Sequence, residues 1–285
     1  MELKPSVLLG LIGQDIQASR TPEMHMAEAE AQGLRLVYRL LDLTPLGLGP
    51  EALPDLLRAA ELTGFSGLNI THPCKQRVLA HLDDLSEDAR DLGAVNTVLF
   101  RAGRRIGHNT DWSGFAEAFR REMTGAPLDQ VVQLGAGGAG AAVAYALLTL
   151  GAGELALLDV ETARAEALAH TLCRRFGAGR ARAGANHAAA IRAADGLVNA
   201  TPVGMAAYPG LPLDAGLLRP DLWVADIIYF PLETELLRQA RALGCRTLDG
   251  TGMAVGQAAA AFRLFTGREP DARRMALTFA SMGAG

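Results

Sequence analysis

The chain has few cysteines, no excess of basic residues and no long apolar run. Its 285 residues include three cysteines, Cys74, Cys173 and Cys245, whose spacing matches neither a zinc site nor an even-numbered disulfide framework. This usage is typical of the reducing cytoplasm, where we expect the protein to work. The formal net charge of −4 gives no reason to expect a nucleic acid or an anionic membrane surface as a partner.

We also expect neither a membrane span nor a targeting segment. The first apolar stretch, Val7 to Ile12, is too short to span a bilayer and is followed by no signal cleavage site. The six histidines do not pair at the spacing of metal ligands, so we expect no metal. With 49% hydrophobic residues, the chain can nonetheless bury a sizeable core, and a small-molecule ligand is the expected partner.

The most informative stretch that is present runs from Val131 to Gly140. Its loop matches the pattern G-x-G-x-x-G and consists of Gly135, Ala136, Gly137, Gly138, Ala139 and Gly140. An apolar run precedes this loop and an alanine-rich run follows it, as in a strand, a tight turn and a helix. In dinucleotide-binding folds such a loop brings the backbone close to a pyrophosphate at the start of the helix. The alternative is a turn that is merely rich in glycine.

Asp159 indicates which dinucleotide is bound. It ends the second apolar run, nineteen residues after Gly140. A carboxylate at this position can accept hydrogen bonds from a ribose 2′-hydroxyl but repels a 2′-phosphate. The first basic residue after it is Arg164. We therefore expect NAD, with NADP less favoured; the alternative role for Asp159 is to cap the following helix.

Alternating strands and helices predict two α/β domains. Residues 1–110, completed by C-terminal helices within 253–285, form the expected substrate-binding and catalytic domain, and residues 111–252 the Rossmann-type NAD(P)-binding domain. The predicted strands cover 7–12, 36–41, 67–70, 97–101, 105–107, 131–134, 154–159, 195–199, 222–227 and 246–248. The main predicted helices cover 22–32, 51–63, 75–82, 113–121, 253–266 and 270–282.

Four polar clusters follow or precede strands in the first half of the chain. They span residues 19–22, 69–75, 93–97 and 107–111. Each cluster has an ordinary structural explanation, such as a helix cap or a turn before proline. Together they supply hydroxyls, amides, one lysine and one aspartate, a set that suits a small ligand with several hydroxyl groups and a carboxylate.

At these clusters the chain resembles the shikimate dehydrogenases. The matching segments are residues 69–75 (NITHPCK), 93–97 (GAVNT), 107–115 (GHNTDWSGF), 199–205 (NATPVGM), 226–231 (DIIYFP) and 249–253 (DGTGM). Within that family, the Ser19–Pro22 segment and Asp159 are most similar to the NAD-dependent quinate/shikimate dehydrogenases. The usual biosynthetic members carry a basic, phosphate-binding segment after the second Rossmann strand, where this chain has Asp159-Val160-Glu161-Thr162.

The resemblance implies roles for individual residues. Lys75 and Asp111 would be the catalytic pair. Substrate would be bound by Ser19 and Thr21 through its carboxylate, and by Thr71, Asn96, Tyr229 and Gln257. The expected cofactor-binding residues, beyond the glycine loop and Asp159, are Arg164, Asn199, Thr201, Val203, Ile227, Gly250 and Met253.

The reaction implied is the reversible oxidation of the 3-hydroxyl of shikimate, quinate or both to the 3-dehydro ketone, with NAD as acceptor. Two alternatives stay open. One is an NADP-dependent shikimate dehydrogenase of aromatic amino acid biosynthesis, and the other is a non-catalytic metabolite sensor. The sequence ranks neither quinate against shikimate nor a monomer against a homodimer.

Overall fold

The computed structural model describes residues 6–184 and 187–282. The chain divides into two units, one made of residues up to Thr110 and from Val255 on, the other of Asp111–Ala254. The first five and last three residues of the predicted substrate-binding domain, and residues 185–186, lie outside the described residues. The two units are described separately below.

The first unit contains a mixed sheet. Its strands are β1 (Ser6–Gly13), β2 (Arg35–Asp42), β3 (Gly67–Ile70), β4 (Asp84–Leu85), β5 (Thr97–Arg101) and β6 (Arg104–His108). Their order in the sheet is β2-β1-β3-β5-β6-β4. Strand β1 runs parallel to both β2 and β3, whereas β5 is antiparallel to β3 and β6. This reversal brings the end of β3 and the start of β5 to the same edge of the sheet.

The second unit contains a wholly parallel sheet. Its strands are β7 (Gln130–Leu134), β8 (Glu154–Leu158), β9 (Ala181–Ala183), β10 (Gly196–Asn199), β11 (Trp223–Asp226) and β12 (Thr247–Leu248), in the order β12-β11-β10-β7-β8-β9. From β7 the chain builds β8 and β9 on one side, then returns to add β10 on the other. In open parallel sheets, ligands bind outside the carboxyl ends of the strands at this switch point.

Helices cover the sheets. They are α1 (Thr21–Ala31), α2 (Leu53–Leu62), α3 (Glu87–Leu92), α4 (Asp111–Glu122), α5 (Gly138–Thr149), α6 (Thr162–Phe176), α7 (His187–Ala193), α8 (Glu235–Ala242), α9 (Thr251–Thr266) and α10 (Ala272–Ser281). In the first unit, α2 packs Leu53 and Leu57 against one face of the sheet, and α9 packs Ala261 and Phe265 against the other. Within the described residues, no helix is long and apolar enough to cross a bilayer.

The two-domain α/β prediction is confirmed, but one predicted helix is wrong. Residues 75–82 contain only a 3₁₀ turn, Arg77–His81. The N–H of Leu79 donates to the carbonyl of Gln76, three residues back, and not to that of Lys75, whose carbonyl accepts a 2.9 Å hydrogen bond from the backbone N–H of Val95. The bond of Leu79 therefore follows the 3₁₀ pattern instead of the α-helical one. The short elements β4, α3, β9 and α7 were not predicted, because two to seven residues carry too little periodicity.

Candidate active site

The glycine loop joins β7 to α5 in a turn that larger residues could not form. Gly135 has a φ of +92°, in the left-handed region that favours glycine. A Cβ on Gly135 would lie 2.7 Å from the carbonyl oxygen of Ala200, and one on Gly140 would lie 2.4 Å from the carbonyl oxygen of Gly135. The loop after β7 therefore packs directly on the loop after β10, at the switch point of the sheet.

The middle of the glycine loop faces open space. A Cβ on Gly137 or Gly138 would meet no atom within 4 Å, and Gly137 is the residue before the first turn of α5. The first N–H groups of a helix have no partner within the helix and attract anions. This geometry fits the pyrophosphate of a dinucleotide: two glycines make the turn possible, and two leave its outer surface clear.

Gln133 holds the two ends of the glycine loop in place. Its buried Nε2 donates 2.8 Å hydrogen bonds to the carbonyl oxygens of Gly135 and Gly140, at the two ends of the loop. Its Oε1 is buried with no hydrogen-bond partner among the described residues. A glutamine among the buried apolar residues of β7 is the feature of the sequence that marks this support.

Asp159 follows β8 and reaches the same loop. Its Oδ2 accepts a 2.7 Å hydrogen bond from the backbone N–H of Ala136, and its Oδ1 accepts one of 2.9 Å from Glu161. The guanidinium of Arg164 lies 2.5 Å from a Glu161 oxygen and 3.8 Å from Oδ1 of Asp159. The carboxylate therefore stabilises the turn before α6 and also lies beside the glycine loop. Two acidic groups at this position disfavour a phosphate.

A buried carboxylate, Asp226 at the end of β11, organises the neighbouring loops. It accepts hydrogen bonds from Asn199 Nδ2 at 3.1 Å, from Thr234 Oγ1 at 2.8 Å and from the backbone N–H of Ile228. Burial raises the pKa of Asp226, and these three hydrogen bonds oppose that rise. Asn199 in turn donates to the carbonyl of Val203 and accepts from Thr201.

The remaining candidate residues of the second unit lie at the carboxyl edge of the same sheet. A Cβ on Gly250 would lie 2.3 Å from the carbonyl oxygen of Ile227, so the loops after β11 and β12 touch. Tyr229, in the loop after β11, is 46% exposed, and Met253, in α9, is 9% exposed. The structure thus brings the loops after β7, β8, β10, β11 and β12 to one edge.

In the first unit, Asn96 is the centre of a polar cluster. It lies just before β5 and is 2% exposed. Its Oδ1 accepts from the backbone N–H of Thr110 at 2.8 Å, and its Nδ2 donates to Thr110 Oγ1 at 2.9 Å and to Gln257 Oε1 at 3.3 Å. Thr71 lies directly after β3, where its N–H donates to the carbonyl of Ile12. Hydroxyls and amides of this kind suit a polyol.

Ser19 and Thr21 lie at the start of α1, and both are half-buried. The residue before the first turn is Arg20, which makes no side-chain cap, whereas Ser19 Oγ accepts a 3.4 Å hydrogen bond from the N–H of Thr21. Arg20 donates to the carbonyl of Phe279 at 3.2 Å, and its guanidinium lies 4.6 Å from the centre of the Phe279 ring. The segment is therefore held in place, with two hydroxyls beside a helix N-terminus.

Lys75 and Asp111 belong to different units. Lys75 is half-buried in the loop after β3, and Asp111, 5% exposed, is the first residue of α4. The chain has 27 lysines and arginines, of which only Lys4 and Lys75 are lysines. Arginine stays charged in proteins, whereas a lysine can release its proton. This scarcity is a second signal in the sequence that we did not use.

The described histidine, cysteine and acidic side chains do not cluster as metal ligands do. Within the described ranges, no group of three or more His, Cys, Asp or Glu side chains could hold a metal ion. His72 is exposed. Burial lowers the pKa of His108 below its ordinary value, which favours the neutral imidazole.

Comparisons with known proteins agree with these motifs. A family model described as the shikimate dehydrogenase substrate binding domain matches residues 11–98, and one described as the shikimate 5'-dehydrogenase C-terminal domain matches residues 250–276. A shikimate dehydrogenase (NADP(+)) from Streptomyces avermitilis is 60% identical over 97% of this chain and 96% of its own. A quinate/shikimate dehydrogenase (NAD(+)) from Corynebacterium efficiens is 54% identical over 97% of this chain and 99% of its own.

Solved structures are similar over the same length. Quinate dehydrogenase from Corynebacterium glutamicum in complex with NAD is 53% identical, with a TM-score of 0.93 over 98% of this chain and 100% of that one. Shikimate 5-dehydrogenase from Thermus thermophilus in complex with NADP(H) and shikimate is 39% identical, with a TM-score of 0.85 over 97% and 99%. The chain therefore belongs to the shikimate dehydrogenase family.

Proposed function

We propose that the chain is an NAD-dependent quinate/shikimate dehydrogenase. It reversibly oxidises the 3-hydroxyl of shikimate, quinate or both to the 3-dehydro ketone. The observation that carries the choice of NAD is the carboxylate of Asp159, hydrogen-bonded to the glycine loop through Ala136 at 2.7 Å. The NAD(+) names of the Corynebacterium relatives support the same choice.

The dinucleotide would be held by the second unit. The proposed contacts are the glycine loop from Gly135 to Gly140, Asp159, Arg164, Asn199, Thr201, Val203, Ile227, Gly250 and Met253. When bound, NAD supplies the acceptor for the hydride that leaves the alcohol carbon. The open outer surface at Gly137 and Gly138 leaves room for a pyrophosphate.

The alcohol would be held mainly by the first unit. Ser19 and Thr21 would bind its carboxylate at the start of α1, where the helix dipole also favours a negative charge. Thr71, Asn96 and Gln257 would bind ring hydroxyls, and Tyr229 would contact the substrate from the second unit. The hydrogen bond from Asn96 to Gln257 supports a shared role for these two amides.

Lys75 and Asp111 are the proposed catalytic pair. Oxidation of a secondary alcohol removes a hydride from carbon and a proton from oxygen, and the protein must accept the proton. As the neutral amine, Lys75 takes that proton and becomes an ammonium; in the reverse direction the ammonium returns it and stabilises negative charge on the ketone oxygen. Asp111 would flank the reacting hydroxyl.

The second candidate is an NADP-dependent shikimate dehydrogenase. It is favoured by the NADP(+) name of the 60% identical Streptomyces avermitilis relative. The exposed Arg164 could turn away from Glu161 to meet a 2′-phosphate. Against this stands the pair of carboxylates at positions 159 and 161, which the phosphate would have to approach.

The domain roles and cellular setting are part of the same proposal. Residues 1–110 with 253–285 would form the substrate-binding domain, residues 111–252 would bind the dinucleotide, and the enzyme would work in the cytoplasm as a monomer or homodimer. Support for the cytoplasm comes from the three cysteines, which are all free. No nucleic acid or membrane partner is proposed.

Initial-rate kinetics on the purified protein test the function. Quinate and shikimate are each oxidised with NAD and with NADP, and nicotinamide reduction is followed by absorbance. We expect kcat/KM with NAD to exceed that with NADP by at least about tenfold, from the repulsion of the 2′-phosphate. Equal values would favour the second candidate, and no oxidation of either alcohol with either cofactor would overturn the function.

A further inference from the structure

A buried tyrosine, Tyr38 in the edge strand β2, is connected to Asn96 by hydrogen bonds. The hydroxyl of Tyr38 donates to Asn69 Oδ1 at 2.7 Å. Asn69 Nδ2 donates to Thr97 Oγ1 at 3.1 Å, and Thr97 Oγ1 donates to Asn96 Oδ1 at 3.0 Å. Tyr38 is 6% exposed, Asn69 5% and Thr97 0%, so water does not compete for these bonds.

Sheet register places these groups next to one another. Asn69 and Thr97 are direct partners in the antiparallel pair β3 and β5. Tyr38 pairs with Leu9, and Asn69 with Leu11, on opposite sides of β1, so both side chains project from the same face. The tyrosine therefore reaches diagonally across one strand to meet the asparagine.

Two backbone groups fix the donor and the acceptor of every hydrogen bond between Tyr38 and Asn96. Asn69 Nδ2 also donates to the carbonyl oxygen of Asn96 at 3.2 Å; a carbonyl can only accept, so the amide of Asn69 cannot be reversed and its Oδ1 faces Tyr38. The backbone N–H of Thr110, which can only donate, fixes Oδ1 of Asn96 at 2.8 Å.

The same argument applies to the hydrogen bond between Asn96 and Gln257, which lies in α9. Because Oδ1 of Asn96 is held by Thr97 and Thr110, its Nδ2 must donate, and it donates to Oε1 of Gln257 at 3.3 Å. The amide nitrogen of Gln257 takes no part in this series of hydrogen bonds. Gln257 can therefore offer a donor, and not an acceptor, to a ligand oxygen.

We propose that Tyr38 is a positioning residue of the alcohol site, which acts through Asn69 and Thr97 to orient Asn96 and Gln257. This inference rests on the proposed function, because it assigns those two amides to the substrate. Tyr38 itself does not contact the substrate. Burial raises the pKa of Tyr38 well above its ordinary value, so the hydroxyl keeps its proton and remains the first donor across the working pH range.

Tyr38→Phe removes the first donor and leaves the ring in place. Asn69 Oδ1 then stays buried without its hydrogen-bond donor. The amides of Asn96 and Gln257 are held less firmly in their orientations. An unmet buried acceptor is disruptive enough that we expect KM for shikimate to rise about tenfold, while KM for NAD changes less than twofold. Loss of folded protein alone would lower the apparent kcat and leave both KM values unchanged.

A double-mutant cycle tests whether the effect travels through Thr97. Thr97→Val interrupts the chain of bonds, so adding Tyr38→Phe to Thr97→Val should raise KM for shikimate less than twofold further. Thr97→Ser keeps the hydroxyl and should restore the wild-type KM. Tyr145→Phe is the matched control, since Tyr145 is also 6% exposed but lies in α5 of the second unit, and its KM for shikimate should equal that of wild type.

The outcomes separate this inference from the proposed function. Wild-type protein that oxidises neither alcohol would remove both. An active wild type whose KM for shikimate is unchanged in Tyr38→Phe would overturn only the role of Tyr38. Full additivity with Thr97→Val, or an equal rise in KM for NAD, would overturn it as well, because either result points to general destabilisation. Thermal unfolding of each variant establishes that folded proteins are compared.

Discussion

Oδ2 of Asp159 accepts a 2.7 Å hydrogen bond from the backbone N–H of Ala136. This bond joins the end of the second strand of the parallel sheet to the glycine loop after the first. A group that would choose between two cofactors therefore also holds the loop that would bind their pyrophosphate. On the proposed function, one carboxylate would couple the choice of cofactor to the geometry of the loop.

Asp159→Asn should shift cofactor preference toward NADP. The substitution removes the negative charge that repels a 2′-phosphate, and it leaves one amide oxygen to serve two backbone donors. We expect the ratio of kcat/KM with NADP to that with NAD to rise about tenfold or more. The gain should come partly from a lower value with NAD, because the loop loses a hydrogen bond. Initial rates at several concentrations of each cofactor measure both terms.

Asp214→Asn provides the control for this change. Asp214 is an exposed residue of the same unit whose side chain also accepts from a backbone N–H, that of Gly216 at 2.9 Å. Its replacement should leave the cofactor ratio within twofold of wild type. An unchanged ratio in Asp159→Asn would remove this carboxylate from cofactor selection.

Lys75→Arg should abolish most alcohol oxidation although it keeps the positive charge. Arginine does not release its proton at neutral pH, so it cannot accept one from the substrate hydroxyl. General acid–base catalysis contributes about 10²- to 10⁴-fold, and we expect kcat to fall in that range for both Lys75→Arg and Lys75→Ala. Arg77→Ala, two residues along and exposed, should retain wild-type kcat. The measurement is kcat for steady-state oxidation of shikimate with saturating NAD. A wild-type kcat in Lys75→Arg would exclude proton transfer by this residue.

Gln133→Leu should weaken NAD binding more than it destabilises the fold. The two 2.8 Å hydrogen bonds from Nε2 to the ends of the glycine loop would be lost. The substitution also removes Oε1, which is buried and without a partner among the described residues, so part of the cost to folding is offset. We expect KM for NAD to rise about fivefold with KM for shikimate unchanged.

Gln130→Ala is the comparison for Gln133→Leu. Gln130 begins the same strand, β7, but is exposed, so its side chain does not support the loop. Both variants are compared by KM for NAD and by chemical denaturation. A Gln133→Leu protein with wild-type KM for NAD and reduced stability would restrict Gln133 to a structural role.

The sheet strands were predictable where burial is nearly complete. Strand β3 was predicted at 67–70 and is observed at Gly67–Ile70, all four residues buried. Except for the three-residue β9, the strands of the parallel sheet were predicted to within one residue of their observed ends, because strands buried on both faces appear as continuous apolar runs.

The connection from Tyr38 to Asn96 could not have been predicted in the same way. It depends on the strand order β2-β1-β3-β5, which brings together side chains 31 and 28 residues apart in sequence. Hydrophobic periodicity predicts that a strand exists but does not fix its neighbours. The sequence motifs indicated Asn96 and Asn69, whereas a tyrosine in a half-buried strand carried no signal of a polar role.

His25 predicts a pH dependence of stability in the first unit. The imidazole is fully buried, and neither ring nitrogen has a hydrogen-bond partner among the described residues. Burial lowers its pKa from 6.5 to about 3. Below pH 6.5 the unfolded chain binds a proton that the folded chain does not bind, so the free energy of unfolding falls as pH falls. Between pH 7 and pH 5 this single group should lower the free energy of unfolding by about 2 kcal/mol.

His25→Phe should remove that part of the pH dependence. The ring of residue 25 lies 5.2–6.0 Å from those of Tyr38, Phe262 and Phe265, a surrounding that accepts another aromatic side chain. Urea denaturation at pH 5, 6 and 7 should show a flatter pH dependence in His25→Phe than in wild type. His170 is exposed, so His170→Gln should show the same pH dependence of unfolding free energy as wild type. Parallel curves for wild type and His25→Phe would mean that His25 binds its proton equally in the folded and unfolded chains, which requires water or a partner to reach the ring.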